Sequence, residues 1–390
     1  MTIYLDHAAT APINDLAIDA VAKAMKNLGN ASSVHNHGRA IRKDVEDARH
    51  AISELVGSAA SEVIFTGSGT EANNLAIKGF YWKAIAGDPR RKVIVTSAFE
   101  HHAILDPIEW LVAHEGAEQI LIPITKTGFI DLEFLADLLA KRGSEIAVIS
   151  VMHSNNELGT LQPIAEIVKL AGDIPVHTDA VQSFGKVSFN FAKLGVTAAT
   201  ISAHKVGGPL GVAALVLQRG IDLVPILHGG GQEREIRSGT LNAPAIVGFA
   251  AAAIHAVDNC NSNFSKVREL RDYFISELKK SVPDCVINSA PDPALPGIVN
   301  VTFPGTENDA MLLLLDSEGI SCSAGSACSA GVPRPSHVLV AMGLSEETAD
   351  ASLRISIGVT NTKAEIDQVI NILPNVIERA RKALEVSKLA

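Results

Sequence analysis

The sequence predicts an α/β fold, a mostly parallel central sheet flanked by helices, followed by a smaller α+β domain. Three observations carry this. Short runs rich in Val, Ile and Thr alternate with helical patterns between residues 62 and 217, as in a sheet covered on both faces. The alternation stops after Val257, where a long charged helix and isolated strands take over. The chain has 390 residues, too many for one small core, and its 47% hydrophobic and 19% charged residues are scattered rather than clustered.

Taken in order, Ile41, Val45, Ala48, Ile52 and Leu55 recur at three- and four-residue steps, one face of a helix that ends near Gly57. Strands are expected over residues 62–66, 92–97, 119–124, 146–152, 176–178, 199–202 and 212–217. Residues 243–257 are Ala-rich and apolar but shorter than the roughly 18 residues of a membrane span, and read as a buried helix. Beyond them come a charged helix over 265–280, strands near 298–303 and 353–357, and a final helix from Lys363. Ligands of such a sheet bind in the loops at the carboxyl ends of its strands.

Charge and cysteine content narrow the function. A formal net charge of -10 without a Lys/Arg run argues against a general nucleic-acid binder. No charged leader followed by an apolar core opens the chain, since Asp6, His7 and Pro12 arrive at once, so a cytoplasmic protein without a membrane anchor is expected. Cys260, Cys285, Cys322 and Cys328 are too few for a disulfide scaffold and are expected to stay free.

Three motifs fall at strand ends. Phe65-Thr66-Gly67-Ser68-Gly69-Thr70-Glu71 joins a strand to a helix, and its small residues let backbone amides approach an anion at the helix N-terminus. It lacks the lysine of a nucleotide-binding P-loop. His177-Thr178-Asp179-Ala180-Val181-Gln182 and Ser202-Ala203-His204-Lys205 end neighbouring strands. A buried Asp179 can keep a pyridine nitrogen protonated, and Lys205 can bond a carbonyl carbon. Singly, each of these residues has a plainer use as a surface charge, a turn former or a helix cap. On a strand, alternation puts Arg354 and Ser356 on one face, where a guanidinium can grip a carboxylate with two parallel hydrogen bonds. The run from Ser321 to Gly331 is built of small residues around Cys322 and Cys328 and is expected to be mobile.

With Tyr4-Leu5-Asp6-His7-Ala8-Ala9-Thr10, Asn30-Ala31-Ser32-Ser33-Val34-His35, Glu100-His101-His102, Val151-Met152-His153-Ser154-Asn155-Asn156-Glu157-Leu158-Gly159 and Arg237-Ser238-Gly239-Thr240 in that order, the chain resembles the cysteine desulfurases of the NifS and IscS kind. These are class-V enzymes of the fold-type I group that use pyridoxal 5'-phosphate. The resemblance implies that Lys205 carries the cofactor, Asp179 pairs with its ring nitrogen and His101 stacks on the ring, acting in catalysis with Lys205 and Cys328. Asn155 and Gln182 would meet the phenolic oxygen and the substrate, and Arg354 the substrate carboxylate. Gly69, Thr70, Ser202 and His204 would hold the phosphate, with Thr240 reaching the partner's phosphate in a homodimer. Cys328 would take sulfur from L-cysteine as a persulfide, leaving L-alanine, and pass it to an iron–sulfur scaffold or another sulfur-acceptor protein, with His101 helping to depress the thiol pKa.

The family pattern divides the chain into a large cofactor-binding domain over 13–257 and a small domain of 1–12 and 258–390 bearing the cysteine loop at about 322–334. Cys322 is read as a small buried hydrophobe at a strand end, and no metal site is expected. Ala11, Leu210 and Val359 depart from the usual Thr, Lys and basic residues, which touches the surface charge and hence the choice of acceptor. The alternatives are another class-V aminotransferase or lyase, a selenocysteine lyase, and a non-catalytic iron–sulfur assembly partner.

Overall fold

A computed structural model describes residues 2–289, 292–325 and 335–389. Cys328 and the rest of the stretch from 326 to 334 lie outside the described residues. In chain order the strands are β1 (Ile3–Tyr4), β2 (Val63–Thr66), β3 (Val93–Ser97), β4 (Glu118–Ile122), β5 (Ile146–Ser150), β6 (Val176–Asp179), β7 (Ala198–Ser202), β8 (Ala213–Leu217), β9 (Val286–Ile287), β10 (Ile298–Thr302), β11 (Ile320–Ser321) and β12 (Ser352–Ser356).

Seven of them form one sheet in the order β2-β8-β7-β6-β5-β3-β4. All pairings are parallel except those of β8, which runs against both β2 and β7. Every residue of β2, β3, β5, β6, β7 and β8 is buried. Helices cover both faces, which is why these strands read as unbroken apolar runs rather than alternations. Only the edge strand β4 is partly exposed.

The helix Asn36–Val56 buries Ile41, Val45, Ala48, Ile52 and Val56 on one face, and Gly57 ends it with a left-handed φ of 72°. It begins earlier than the apolar period suggests because the His35 side chain caps it, accepting from Gly38 N. Histidine is not among the usual capping residues, so the sequence carried no signal there. The Ala-rich segment forms the helix Ala243–Asp258, capped by Asn242. Among the described residues no single helix is long and apolar enough to cross a membrane.

A second core gathers Ile3, Leu5, Phe274, Leu278, Val299, Val301, Phe303, Leu353 and Ile355. It lies around the antiparallel sheet β12-β10-β9 and the parallel pair β1-β11. Bridges Asp6 to Ser356 and Ser323 to Arg354 join the two small sheets. The two-residue strands β1, β9 and β11 are too short to leave a period in the sequence.

Glu233, Arg234 and Glu235 all take left-handed backbone angles, φ 46°, 58° and 64°. For non-glycine residues each such conformation costs of order 1–3 kcal/mol. The Glu233 carboxylate offsets it by accepting from Arg49 Nη1 at 2.7 Å, Arg49 Nη2 at 2.6 Å and Phe65 N at 2.7 Å, all buried. Glu233→Ala would take from Arg49 its buried carboxylate partner and leave it the exposed Glu46, 3.2 Å from Nε, and is expected to cost about 1–3 kcal/mol in urea unfolding, with Glu233→Gln milder.

Candidate active site

The loops leaving the carboxyl ends of β2, β3, β5, β6 and β7 converge, as expected for an open α/β sheet. After β2, Ser68 caps the helix Gly69–Gly87, its Oγ accepting from Glu71 N at 3.0 Å. A Cβ on Gly69 would stand 3.2 Å from Val181 Cγ2 and 3.7 Å from Ser202 Cβ, so this turn lies directly on the ends of β6 and β7. Its free amides and the positive end of a 19-residue helix form a seat for an anion, with Thr70 exposed on the first turn and Ser202 buried beneath. Glu71 braces the seat, accepting from Gly67 N at 2.8 Å and from Arg237 Nε at 2.6 Å. That bond ties the Arg237-Ser238-Gly239-Thr240 segment to the seat, and Thr240 itself is exposed.

Asp179 ends β6 beside Thr200 of β7. Its carboxylate accepts from Asn73 Nδ2 at 2.7 Å and from Val181 N at 2.9 Å. Burial raises its pKa, while those two bonds and the Lys205 charge pull the other way. Lys205 follows β7, and its Nζ donates to Ala8 O and Ala9 O, both at 2.7 Å. Gln182 Nε2 donates to the same Ala8 O at 2.8 Å. His204 Nδ1 is 3.2 Å from Thr10 Oγ1, and burial with the Lys205 and Lys186 charges pushes its pKa down to about 4.

After β3, His101 caps the helix His102–Glu115, Nδ1 accepting from Ala103 N at 3.0 Å. Burial, then Lys205, His102 and His337, lower its pKa to about 4. The ring is neutral at pH 7, and a neutral imidazole offers a hydrogen bond but no charge with which to depress a thiol pKa. Its expected action on the Cys328 thiol concerns a residue outside the described ones.

Neighbouring Glu100 is fully buried. Its Oε1 accepts from Ser97 Oγ at 2.6 Å and Met152 N at 2.8 Å, while Oε2 has no partner among the described residues. Burial outweighs those bonds and lifts its pKa to about 8. Between the ordinary carboxylate range and about pH 8 the unfolded chain ionises here while the folded chain keeps its proton, so stability falls as pH rises through that window. Glu100→Gln is expected to flatten this dependence, checked by melting curves at about pH 5 and about pH 8.

Asn155 stands in the loop after β5, beside the end of β3. It is fully buried, Nδ2 donating to Phe99 O at 3.1 Å and Oδ1 accepting from Glu157 N at 2.8 Å and Leu158 N at 2.9 Å. Oδ1 closes the turn after β5, Nδ2 ties that turn to the loop after β3, and the second N–H of Nδ2 has only the weak acceptor Met152 Sδ at 3.4 Å, so it can turn to a ligand while the bond to Phe99 O stays. Arg354 is buried on β12. Its Nη2 donates to Asp6 Oδ1 at 2.9 Å and Nη1 to Asn156 O at 3.3 Å, while the buried Nε has no partner among the described residues. Its guanidinium is therefore already in an ion pair and retains a spare donor.

A family model described as "Aminotransferase class-V" matches residues 3–369. An "IscS-like cysteine desulfurase" of Mycobacterium tuberculosis is 46% identical over 383 residues, 97% of each chain. The chain belongs to the class-V aminotransferase family, on its cysteine desulfurase branch. Among solved structures, a NifS-like protein from Rickettsia africae superposes with a TM-score of 0.87 at 35% identity, covering 97% of this chain and 100% of the other. One titled "SspA in complex with cysteine" gives 0.79 at 33% identity, covering 93% and 100%.

Class-V enzymes of this kind depend on pyridoxal phosphate, and the residues present fit it. The Gly67–Thr70 turn offers the phosphate an amide-lined seat. Asp179 carries a burial cost that a cationic ring nitrogen would relieve. Asn73 Oδ1 and Arg354 Nε are buried polar atoms without hydrogen-bond partners among the described residues, a sign that the pocket is built to receive a further group. Asn73 was not singled out in the sequence, although it stands one helical turn after Thr70 and therefore on the same face.

Cys322 follows β11, where burial first and Asp6 second push its thiol up to about 12. Leu210 and Val359, two of the departures from the desulfurase pattern, are exposed. Among the described residues no group of His, Cys, Asp and Glu is arranged to hold a metal ion.

Proposed function

We propose that this chain converts L-cysteine to L-alanine, holds the released sulfur as a persulfide on Cys328, works as a homodimer, and passes sulfur to an iron–sulfur scaffold or another thiol acceptor in the cytoplasm. The observation that carries the reading is the convergence of the Lys205 amine, the buried Asp179 carboxylate and the Gly67–Thr70 anion seat at the ends of three strands, in a chain 46% identical to a named cysteine desulfurase.

Bound pyridoxal phosphate supplies a carbon for the substrate amine and a protonated ring that takes up electrons from the substrate α-carbon. Lys205 Nζ would hold the cofactor and, when free of it, would move the substrate α-proton, and Asp179 would keep the ring nitrogen protonated. Arg354 takes the substrate carboxylate with the donor it has to spare. Cys328 Sγ attacks the substrate sulfur: the new S–S bond forms on Cys328, the substrate C–S bond breaks, and the carbon keeps the electron pair and gains a proton. Thiol and cysteine thus give persulfide and alanine with no outside oxidant. Thr240, exposed on the segment braced by Arg237 and Glu71, reaches the phosphate of the partner subunit in this reading.

Product analysis tests the function. L-cysteine should yield alanine and one sulfur per alanine. A keto acid in place of alanine would favour an ordinary aminotransferase, a reaction that has no use for Cys328.

A further inference from the structure

Lys186 has no part in the chemistry above, yet it touches the site. It stands four residues after Gln182, and its Nζ lies 3.1 Å from Gln182 Oε1. At the far end of the same amide, Gln182 Nε2 lies 2.8 Å from Ala8 O, the carbonyl that also receives Lys205 Nζ at 2.7 Å. An ammonium can only donate and a carbonyl can only accept. The amide therefore has one favourable orientation; the reverse would set its NH2 against the ammonium and its oxygen against Ala8 O.

We propose that Lys186 is a positioning residue that locks the Gln182 amide with its N–H donors on the Lys205 side, so that the cofactor is met by a donor and not by a carbonyl. This rests on the proposed pyridoxal phosphate chemistry. Lys205 and Arg354 act electrostatically on Lys186, and Lys186 on His7 and His204. Burial and then the Lys205 and Arg354 charges bring Lys186 down to about 7, so below that pH it is an obligate donor. A cavity of about 300 Å³ beside Ala8, Lys186 and Lys205 leaves the amine room to be replaced without overpacking.

The phenolate side of the bound ring is electron-rich. An N–H donor facing it, with a cation behind, favours the deprotonated form of the cofactor linkage. Loss of the lock should therefore raise the pH at which the visible cofactor band titrates.

The experiment is a pH titration of that band in the purified holoenzyme. Lys186→Met is expected to move the midpoint upward by roughly one unit, about one hydrogen bond to a charged group. Lys186→Gln, which keeps a donor without the charge, should recover part of the shift. Gln182→Met should reproduce the shift, and adding Lys186→Met to it should change nothing further, because the lysine acts through the amide. A Lys186→Met midpoint equal to the parent's, or a full shift persisting on the Gln182→Met background, overturns the proposal. If Lys186→Met does not fold, Lys186→Arg takes its place: as an obligate donor it should keep the parental midpoint, whereas a shift as large as that of Gln182→Met would sink the lock. A parent protein that makes no alanine refutes the functional reading instead, so the two failures are distinguishable.

Discussion

A Lys205→Ala protein is expected to form alanine from L-cysteine at least roughly 10²–10⁴-fold more slowly, the worth of a positioned proton-transfer group alone. The loss should be larger in practice, because the same amine holds the cofactor. The geometry leaves no ready substitute. Lys205 Nζ is anchored by Ala8 O and Ala9 O next to the pocket, whereas Lys186, the nearby second amine, is committed to Gln182. The variant should also lose the visible band that borohydride bleaches in the parent. Alanine release followed by amino-acid analysis checks the rate, and a parental rate would mean that another group moves the α-proton.

Cys328→Ser is expected to lower sulfur release from cysteine by roughly 10³-fold or more, since a hydroxyl stays protonated where a thiolate is required. The described cysteines cannot take over. Burial holds Cys322 up to about 12 and also raises Cys260 and Cys285, so each remains a thiol at neutral pH. The flanks of the 326–334 stretch point to the site as well. Ser336 Oγ donates to Glu157 Oε2 at 2.5 Å, and a Cβ on Gly325 would stand 3.0 Å from that same oxygen. The chain thus leaves and returns beside the loop that carries Asn155. Ser323, two residues before Gly325, pairs with Arg354 through both backbone bonds. A Cys328→Ser protein with undiminished sulfide release would place the sulfur on another group.

Much of this site was legible because chemistry-bearing residues lie at strand ends, and strand ends are where β-branched runs stop. Gly69, Asp179, Ser202 and Lys205 stand where those runs predict. Asp179 even closes β6, one residue beyond the expected end, because a buried carboxylate with two donors can stay in the ladder. What the sequence concealed depends on side chains meeting across the fold. Nothing local tells that Glu233, in a surface-like Gln-Glu-Arg-Glu run, is buried against Arg49 and Phe65 N and supports three left-handed residues. No motif marks Lys186, whose amine meets the site through Gln182 Oε1, 3.1 Å away. Asn155 carries a second use that the sequence does not announce, since its Oδ1 closes the turn after β5 by accepting from Glu157 N and Leu158 N, a role asparagine commonly has in loops.

Cys328 is proposed to receive the sulfur of the substrate cysteine as a persulfide. Incubating the holoenzyme with one equivalent of L-cysteine, then quenching, digesting and weighing its peptides, tests this directly. The account predicts one alanine per chain and one additional sulfur atom on the peptide that contains Cys328. Alanine formed while that peptide keeps its unmodified mass, with the sulfur found on Cys322 or free in solution from the first turnover, would contradict it.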